Sequence, residues 1–222
     1  MRKFLLSGFL IIFITMQTLL NAYVKHGPVI IQNDNDFTKE NGVARGSGNP
    51  YDPYVIDGWD IEVPKGPFKL GTSTIYGVFS GITISATTRY FTIRNCYIHD
   101  GKEDSNGIFL HDANNGNIEN VKIERTTRGI YSNWGTIESI TNTTISNCSQ
   151  GILNNTFGII KSITNCKISF CENGINNNVG TITSIKNCTI SSCNYGVYNK
   201  DTIGSITNCT FPSCKNTVYN KP

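Results

Sequence analysis

The densest run of residues able to do chemistry is His99, Asp100, Lys102, Glu103 and Asp104, followed by His111 and Asp112 and then by Arg125 and Arg128. Carboxylates beside imidazole and guanidinium groups can serve as acid, base and charge stabiliser on a uronic-acid polymer. That makes Asp100, Asp104, Asp112, His111 and Arg128 the catalytic candidates. Asp100, Glu103 and Asp104 also offer the hard oxygen donors that Ca²⁺ takes. The competing reading is a solvated turn. A second set is aromatic: Phe109, Tyr131, Tyr198 and Tyr219 could seat sugar rings through an apolar body and, for Tyr, a hydrogen-bonding tip. Ordinary strand propensity is the competing reading there. Whether either set can act together depends on how the chain places it.

The chain has 222 residues and opens Met1-Arg2-Lys3, then runs almost wholly apolar from Phe4 to Leu20 before Asn21-Ala22. A basic start, an apolar middle and a small residue at the cut describe a signal peptide over residues 1–22 and a secreted or cell-surface product. A retained membrane anchor is the alternative, since the run is about long enough to span a bilayer. Cleavage after Ala22 leaves 200 residues, and the loss of Arg2 and Lys3 takes the net charge from +3 to +1. Near-neutrality without a basic stretch argues against nucleic acid as a partner. Charged residues are only 16% of the chain, while Asn, Thr, Ser, Ile and Gly crowd it. Polarity without charge suits strand surfaces and turns better than helix faces.

A repeat organises everything after Ser80. Gly-Ile or Gly-Val recurs at Gly107, Gly129, Gly151, Gly174 and Gly196, in steps of 22, 22, 23 and 22 residues. Asn120, Asn142, Asn165, Asn187 and Asn208 keep pace, each followed three residues later by Ile or Phe. A divergent earlier copy starts at Gly81, with Asn95-Cys96-Tyr97-Ile98, and a short insertion near Gly101-Lys102-Glu103-Asp104 separates it from the next. Leucine-rich repeats share this period but need several leucines per copy; from Gly107 onward only Leu110 and Leu153 occur. Each copy shows three short strand-like pieces instead: Gly-Ile-x-Asn, Ser-Ile-Thr and Cys-x-Ile-Ser. Three strands per turn stack as coils about 4.8 Å apart. Residues 23–80 then form a lead-in and cap, and residues 81–222 the repeats.

Stacking turns each repeat position into a column. Ile108, Ile130, Ile152, Ile175, Val197 and Val218 are expected to form one inward ladder, and Ile123, Ile145, Ile168, Ile190 and Phe211 another. The recurrent Asn residues are expected to turn inward at a bend, their amides bonding along the stack and to the turn backbone. That would also bury the sequon Asn142-Thr143-Thr144. Alternation puts Thr83, Phe109, Tyr131, Leu153, Asn176, Tyr198 and Tyr219 in one outward row. All eight cysteines fall in two columns: Cys96, Cys166, Cys188 and Cys209 after the recurrent Asn, and Cys148, Cys171, Cys193 and Cys214 five residues beyond. Neighbours one coil apart are within disulfide range, but parallel side chains point the same way. The preferred reading is small buried hydrophobes, and the spacing is not that of a structural metal site.

The repeat resembles the PbH1-type coils of right-handed parallel β-helix proteins, the pectin-lyase-like group that includes pectate lyases with their asparagine ladder. The segment from Gly46 to Trp59 (Gly-Ser-Gly-Asn-Pro-Tyr-Asp-Pro-Tyr-Val-Ile-Asp-Gly-Trp) resembles a lead-in of NosD-like β-helix proteins. The resemblance runs from about residue 28 to the C-terminus. It implies a surface or periplasmic place and kinship with carbohydrate-binding and sugar-hydrolase domains. The hydrolases of that group carry Asn-Thr-Asp, Asp-Asp and Gly-His-Gly, none of which occurs here. The copper that the NosD resemblance implies would meet only His26, His99 and His111 and two methionines, so its soft ligands would have to be cysteines.

The expectation is therefore an all-β, right-handed parallel β-helix with coils of about 22 residues, secreted or held at the cell surface. Its expected role is non-catalytic binding of a polysaccharide or another partner through Phe109, Tyr131, Tyr198 and Tyr219. The alternatives are a lyase or glycoside hydrolase acting on an acidic polysaccharide, and a structural spacer. No cofactor is expected apart from Ca²⁺. Only Lys215, Lys221 and Pro222 blunt the edge of the final coil, so association with a partner or a second copy is expected there.

Overall fold

A computed structural model describes residues 23–66, 68–70, 73–75 and 79–221, and the expected signal peptide lies outside them. Among the described residues the chain is strand and turn, with one 3-10 turn at Asp34–Asp36. A representative coil has strands Gln150–Asn155, Gly158–Thr164 and Lys167–Ser169, each paired in parallel with its equivalents one coil before and after. Two earlier coils run their first two strands together as Asn106–Glu119 and Arg128–Thr141. Those long strands join the first two faces into one 14-stranded sheet, and the third face is a separate seven-stranded sheet. This is the expected parallel β-helix.

The stack begins earlier than the repeat. Val29–Ile31, Tyr54–Asp57 and Trp59–Glu62 pair in parallel with Ser80–Thr87, Phe91–Arg94 and Tyr97–His99. The lead-in thus supplies a preceding coil, whose strand Tyr54–Asp57 also takes Val43–Arg45 as an antiparallel neighbour.

Both aliphatic ladders form as expected, with Ile108, Ile130, Ile152, Ile175 and Val197 fully buried in one and Ile123, Ile145, Ile168 and Ile190 in the other. The ladders end in Val218, 37% exposed, and the partly buried Phe211. The recurrent glycine exists because the two ladders meet over it. A Cβ on Gly151 would sit 2.4 Å from the Gly174 carbonyl oxygen and 2.7 Å from Cγ2 of Ile168.

The recurrent Asn column does not turn inward. Asn120, Asn142, Asn165, Asn187 and Asn208 sit at bends with φ between 50° and 56° and are exposed, the sequon residue Asn142 among them. Asn tolerates this left-handed conformation better than other side-chain-bearing residues, so its backbone explains its recurrence. The buried amide ladder is a different one. Asn154 Nδ2 donates to Asn177 Oδ1 at 2.9 Å, Asn177 Nδ2 to Asn199 Oδ1 at 2.8 Å, and Asn199 Nδ2 to Asn220 Oδ1 at 3.0 Å. Each donating nitrogen also reaches a backbone carbonyl, of Gly158, Gly180 or Asp201. In the preceding coils the same column is Ile31, Ile84, Leu110 and Ser132. The eight cysteines are free; six are buried, and Cys209 and Cys214 are partly exposed.

Candidate functional site

The first strand of each coil presents three outward rows. The middle row pairs Thr83 with Phe109, Phe109 with Tyr131, Tyr131 with Leu153, Leu153 with Asn176, Asn176 with Tyr198 and Tyr198 with Tyr219, as the alternation requires. Its rings form two clusters. Phe109 and Tyr131 lie 5.1 Å apart, with Arg128 5.4 Å over Tyr131. Tyr198 and Tyr219 stack at 5.2 Å, Tyr195 lies 5.2 Å from Tyr198, and Lys200 is 5.4 Å over the Tyr198 ring. Three coils, about 14 Å, separate Tyr131 from Tyr198.

Amides fill the space between and beside the clusters. Asn173 and Asn176 both donate to Gln150 Oε1, at 3.0 and 2.9 Å. Asn178 donates to Asn155 at 2.8 Å, and Lys200 donates to Asn178 at 2.9 Å. The oxygens Asn133 Oδ1, Asn173 Oδ1 and Asn176 Oδ1 are buried and have no hydrogen-bond partner among the described residues. The row ends at a corner with two exposed aromatics, Trp134 (47%) and Phe157 (67%), in an edge-to-face pair. Both have positive φ, the conformation of the bends between strands, which bulky residues rarely adopt.

The catalytic candidates are divided between two faces. Arg128 bonds Asn106 at 3.2 Å and pairs with Asp104 at 3.3 Å. His111 Nδ1 lies 3.0 Å from Asn133 Nδ2, and both His111 and Asp112 are exposed on this first face. Asp100 belongs instead to a network on the third face. There His99 holds Asp60 through Nε2 at 2.8 Å and Asp100 through Nδ1 at 2.7 Å, while Arg125 bridges Asp100 to Glu124. Tyr97 donates to Glu124 and lies beneath Lys122. Burial works against ionisation of Glu124, but donors from Tyr97, Lys122 and Arg125 win and hold its carboxyl down to about 2. Hydrogen bonds from Arg125, then His99, hold Asp100 well below the usual carboxylate range. These groups satisfy one another, which is how a structural tie behaves.

Sequence reasoning missed Tyr97, Glu124 and Asp60 because they are spread over three coils. It also missed the Asn154 ladder, although the motif Gly-Ile-x-Asn contains it: if Ile points inward, so must the Asn two residues on. Nothing in the pattern marks Trp134 and Phe157, because the bend at Thr156-Phe157 carries a residue more than its neighbour at Trp134.

The family model described as periplasmic copper-binding protein (NosD) matches residues 29–222. The chain belongs to the NosD family. No curated protein and no solved structure matches it. Copper is what the family's description implies, and the histidines and methionines present here do not fit it. His26 is bonded to the Gly27 carbonyl at 2.7 Å, His99 is held by carboxylates on both sides, and His111 sits on another face. Met1 and Met16 lie outside the described residues. No group of three His, Cys, Asp or Glu side chains among the described residues is placed to hold a metal ion, and that includes Asp100, Glu103 and Asp104 as a Ca²⁺ set. What this NosD-family solenoid does offer is a long, regular outward face.

Proposed function

We propose that this NosD-family β-helix is a non-catalytic module of the periplasm or cell surface that binds a polysaccharide along the outward face of its first sheet. The observation that carries the reading is the pairing of two aromatic clusters, each under a cation, with a row of amides between them. Rings supply apolar platforms, and amides and Tyr hydroxyls exchange hydrogen bonds with sugar hydroxyls. A glycan running along the axis meets both clusters at once, so the two contribute as linked sites. Tyr131→Ala and Tyr198→Ala should each weaken glycan binding about tenfold or more and leave the melting temperature nearly unchanged. A glycan array followed by calorimetry on hits checks this. No binding to any glycan by the folded protein would sink the reading, and robust cleavage of a uronate polymer, with or without Ca²⁺, would replace it with the lyase or hydrolase alternative.

A further inference from the structure

The cysteine columns point to chemistry unconnected with glycan binding. Cys166, Cys188 and Cys209 lie directly above one another: Thr189 N donates to Cys166 O and Thr210 N to Cys188 O, both at 2.9 Å. Cys148, Cys171, Cys193 and Cys214 stack likewise, Ser146 pairing with Ser169 and Ser169 with Ser191, while Lys215 N donates to Cys193 O at 3.0 Å. Coils about 4.8 Å apart bring successive Cα atoms within the 4.4–6.8 Å that disulfides span. None of these cysteines sits in the flat middle of a strand. Each follows a bend residue at positive φ: Asn165, Asn187 or Asn208 in one column, and Asn147, Phe170, Ser192 or Ser213 in the other. These bends repeat with φ between 52° and 59°, so stacked thiols face the same way and a bond closes by rotation about one partner's Cα–Cβ bond.

We infer that the columns, whose thiols are free in this structure, close on oxidation into three disulfides between stacked coils: Cys148–Cys171, Cys193–Cys214, and Cys188 with one of its two neighbours. The count follows from geometry. Four stacked cysteines pair completely, three leave one over, and Cys96 has Val121 at the same place in the next coil, so two of the eight thiols stay free after oxidation. The family's description is periplasmic, and periplasm is a compartment in which disulfides form and persist.

Reagents can reach the columns only from their ends. Cys148 lines a surface groove with Lys102, Arg125, Thr126 and Ser149, and Cys209 and Cys214 are partly exposed at the other end. Column thiols donate to the carbonyl two residues before them, as Cys148 does to Ser146 at 3.3 Å and Cys171 to Ser169 at 3.4 Å. Burial pushes Cys96, which has no stacked cysteine, up to about 11. The chemistry is thiol–disulfide exchange. A column thiolate attacks the disulfide of a dithiol-type oxidant and expels one of its sulfurs. The stacked neighbour, losing its proton, then attacks the mixed disulfide and expels the other. Two electrons and two protons per bond pass to the oxidant, which leaves as two thiols.

Oxidising the full chain with glutathione disulfide, then denaturing and alkylating it, should leave two reactive thiols, with tryptic maps linking only stacked neighbours. Oxidation should also raise Tm by more than about 5 °C over the reduced protein. Cys171→Ser should leave three reactive thiols and Cys96→Ser one. Eight alkylated thiols after oxidation, or links joining one column to the other, would overturn the inference. So would a reduced protein that takes up cuprous ion stoichiometrically and then resists oxidation, since the columns would then be metal ligands.

Discussion

Coils before Arg128 and coils after Gln150 stack on the same period but are tied together differently. In the first group, charges bridge the coils: Asp57 to Arg94 at 2.7 Å, Lys25 to Asp60 at 3.1 Å, Asp100 to Arg125, and Asp104 to Arg128 at 3.3 Å. The last ion pair along the chain, among the described residues, is Glu138–Lys161. From Asn154 onward the work passes to neutral amides inside the coil. The interior column changes with it, from Ile84 and Leu110 through Ser132 to Asn. Charged ties work at a wet surface but answer to pH and salt. Amide ties titrate nowhere, but once buried they are costly to leave unpaired.

The comparison breaks first at Asn177. Asn177→Leu removes a donor to Asn199 and Gly180 and an acceptor for Asn154, leaving buried groups unpaired, and should cost about 3 kcal/mol. A urea midpoint close to that of the unsubstituted protein would mean that water replaces the amide and the ladder is dispensable. Acid should sharpen the contrast next. Because the Glu124 carboxyl is lowered from 4.5 to about 2, its contribution is full above about 4.5 and is lost as pH falls through about 2. Hydrogen exchange should therefore show the coils around Glu124 losing protection in that window before the coils around Asn177, and Glu124→Gln should flatten the difference. Uniform loss along the chain would remove the distinction between the halves.

The exposed Asn column yields smaller effects. Asn187→Leu forces a branched side chain into φ 54° and should cost about 1 kcal/mol, whereas Asn187→Gly should be close to neutral. Equal losses for the two would show that the Asn187 side chain, which donates to Asn165 at 3.2 Å, matters more than its backbone. Lys167→Ala, on an exposed strand position, should change the midpoint by less than about 0.5 kcal/mol.

The two Asn columns also show where sequence reading stops. Period, strand count, both aliphatic ladders and the aromatic row were legible because alternation and a step of 22 leave little choice of register. Which Asn points inward was not, since Asn serves equally as a left-handed bend residue and as a buried amide. The recurrence of Asn142, Asn165 and Asn187 drew attention to the bend. The network of Asp60, His99, Asp100 and Glu124 was half legible: the dense charge stood out, but partners one coil away on short strands carry no local signature.

The buried amide column has a sense as well as a length. From Asn154 to Asn220 every link hands its N–H toward the C-terminal coil. The extra bonds to the carbonyls of Gly158, Gly180 and Asp201 fix that sense, because a carbonyl can only accept. Dipoles aligned head to tail add, as they do in a helix, and each polarises the next. The column is thus an electret along the solenoid axis, with its negative pole buried at Asn154 Oδ1 beside Ser132 and its positive pole at the exposed Asn220. Turning one amide over would set oxygen against oxygen, both along the column and at the carbonyl beside it, so the sense is locked.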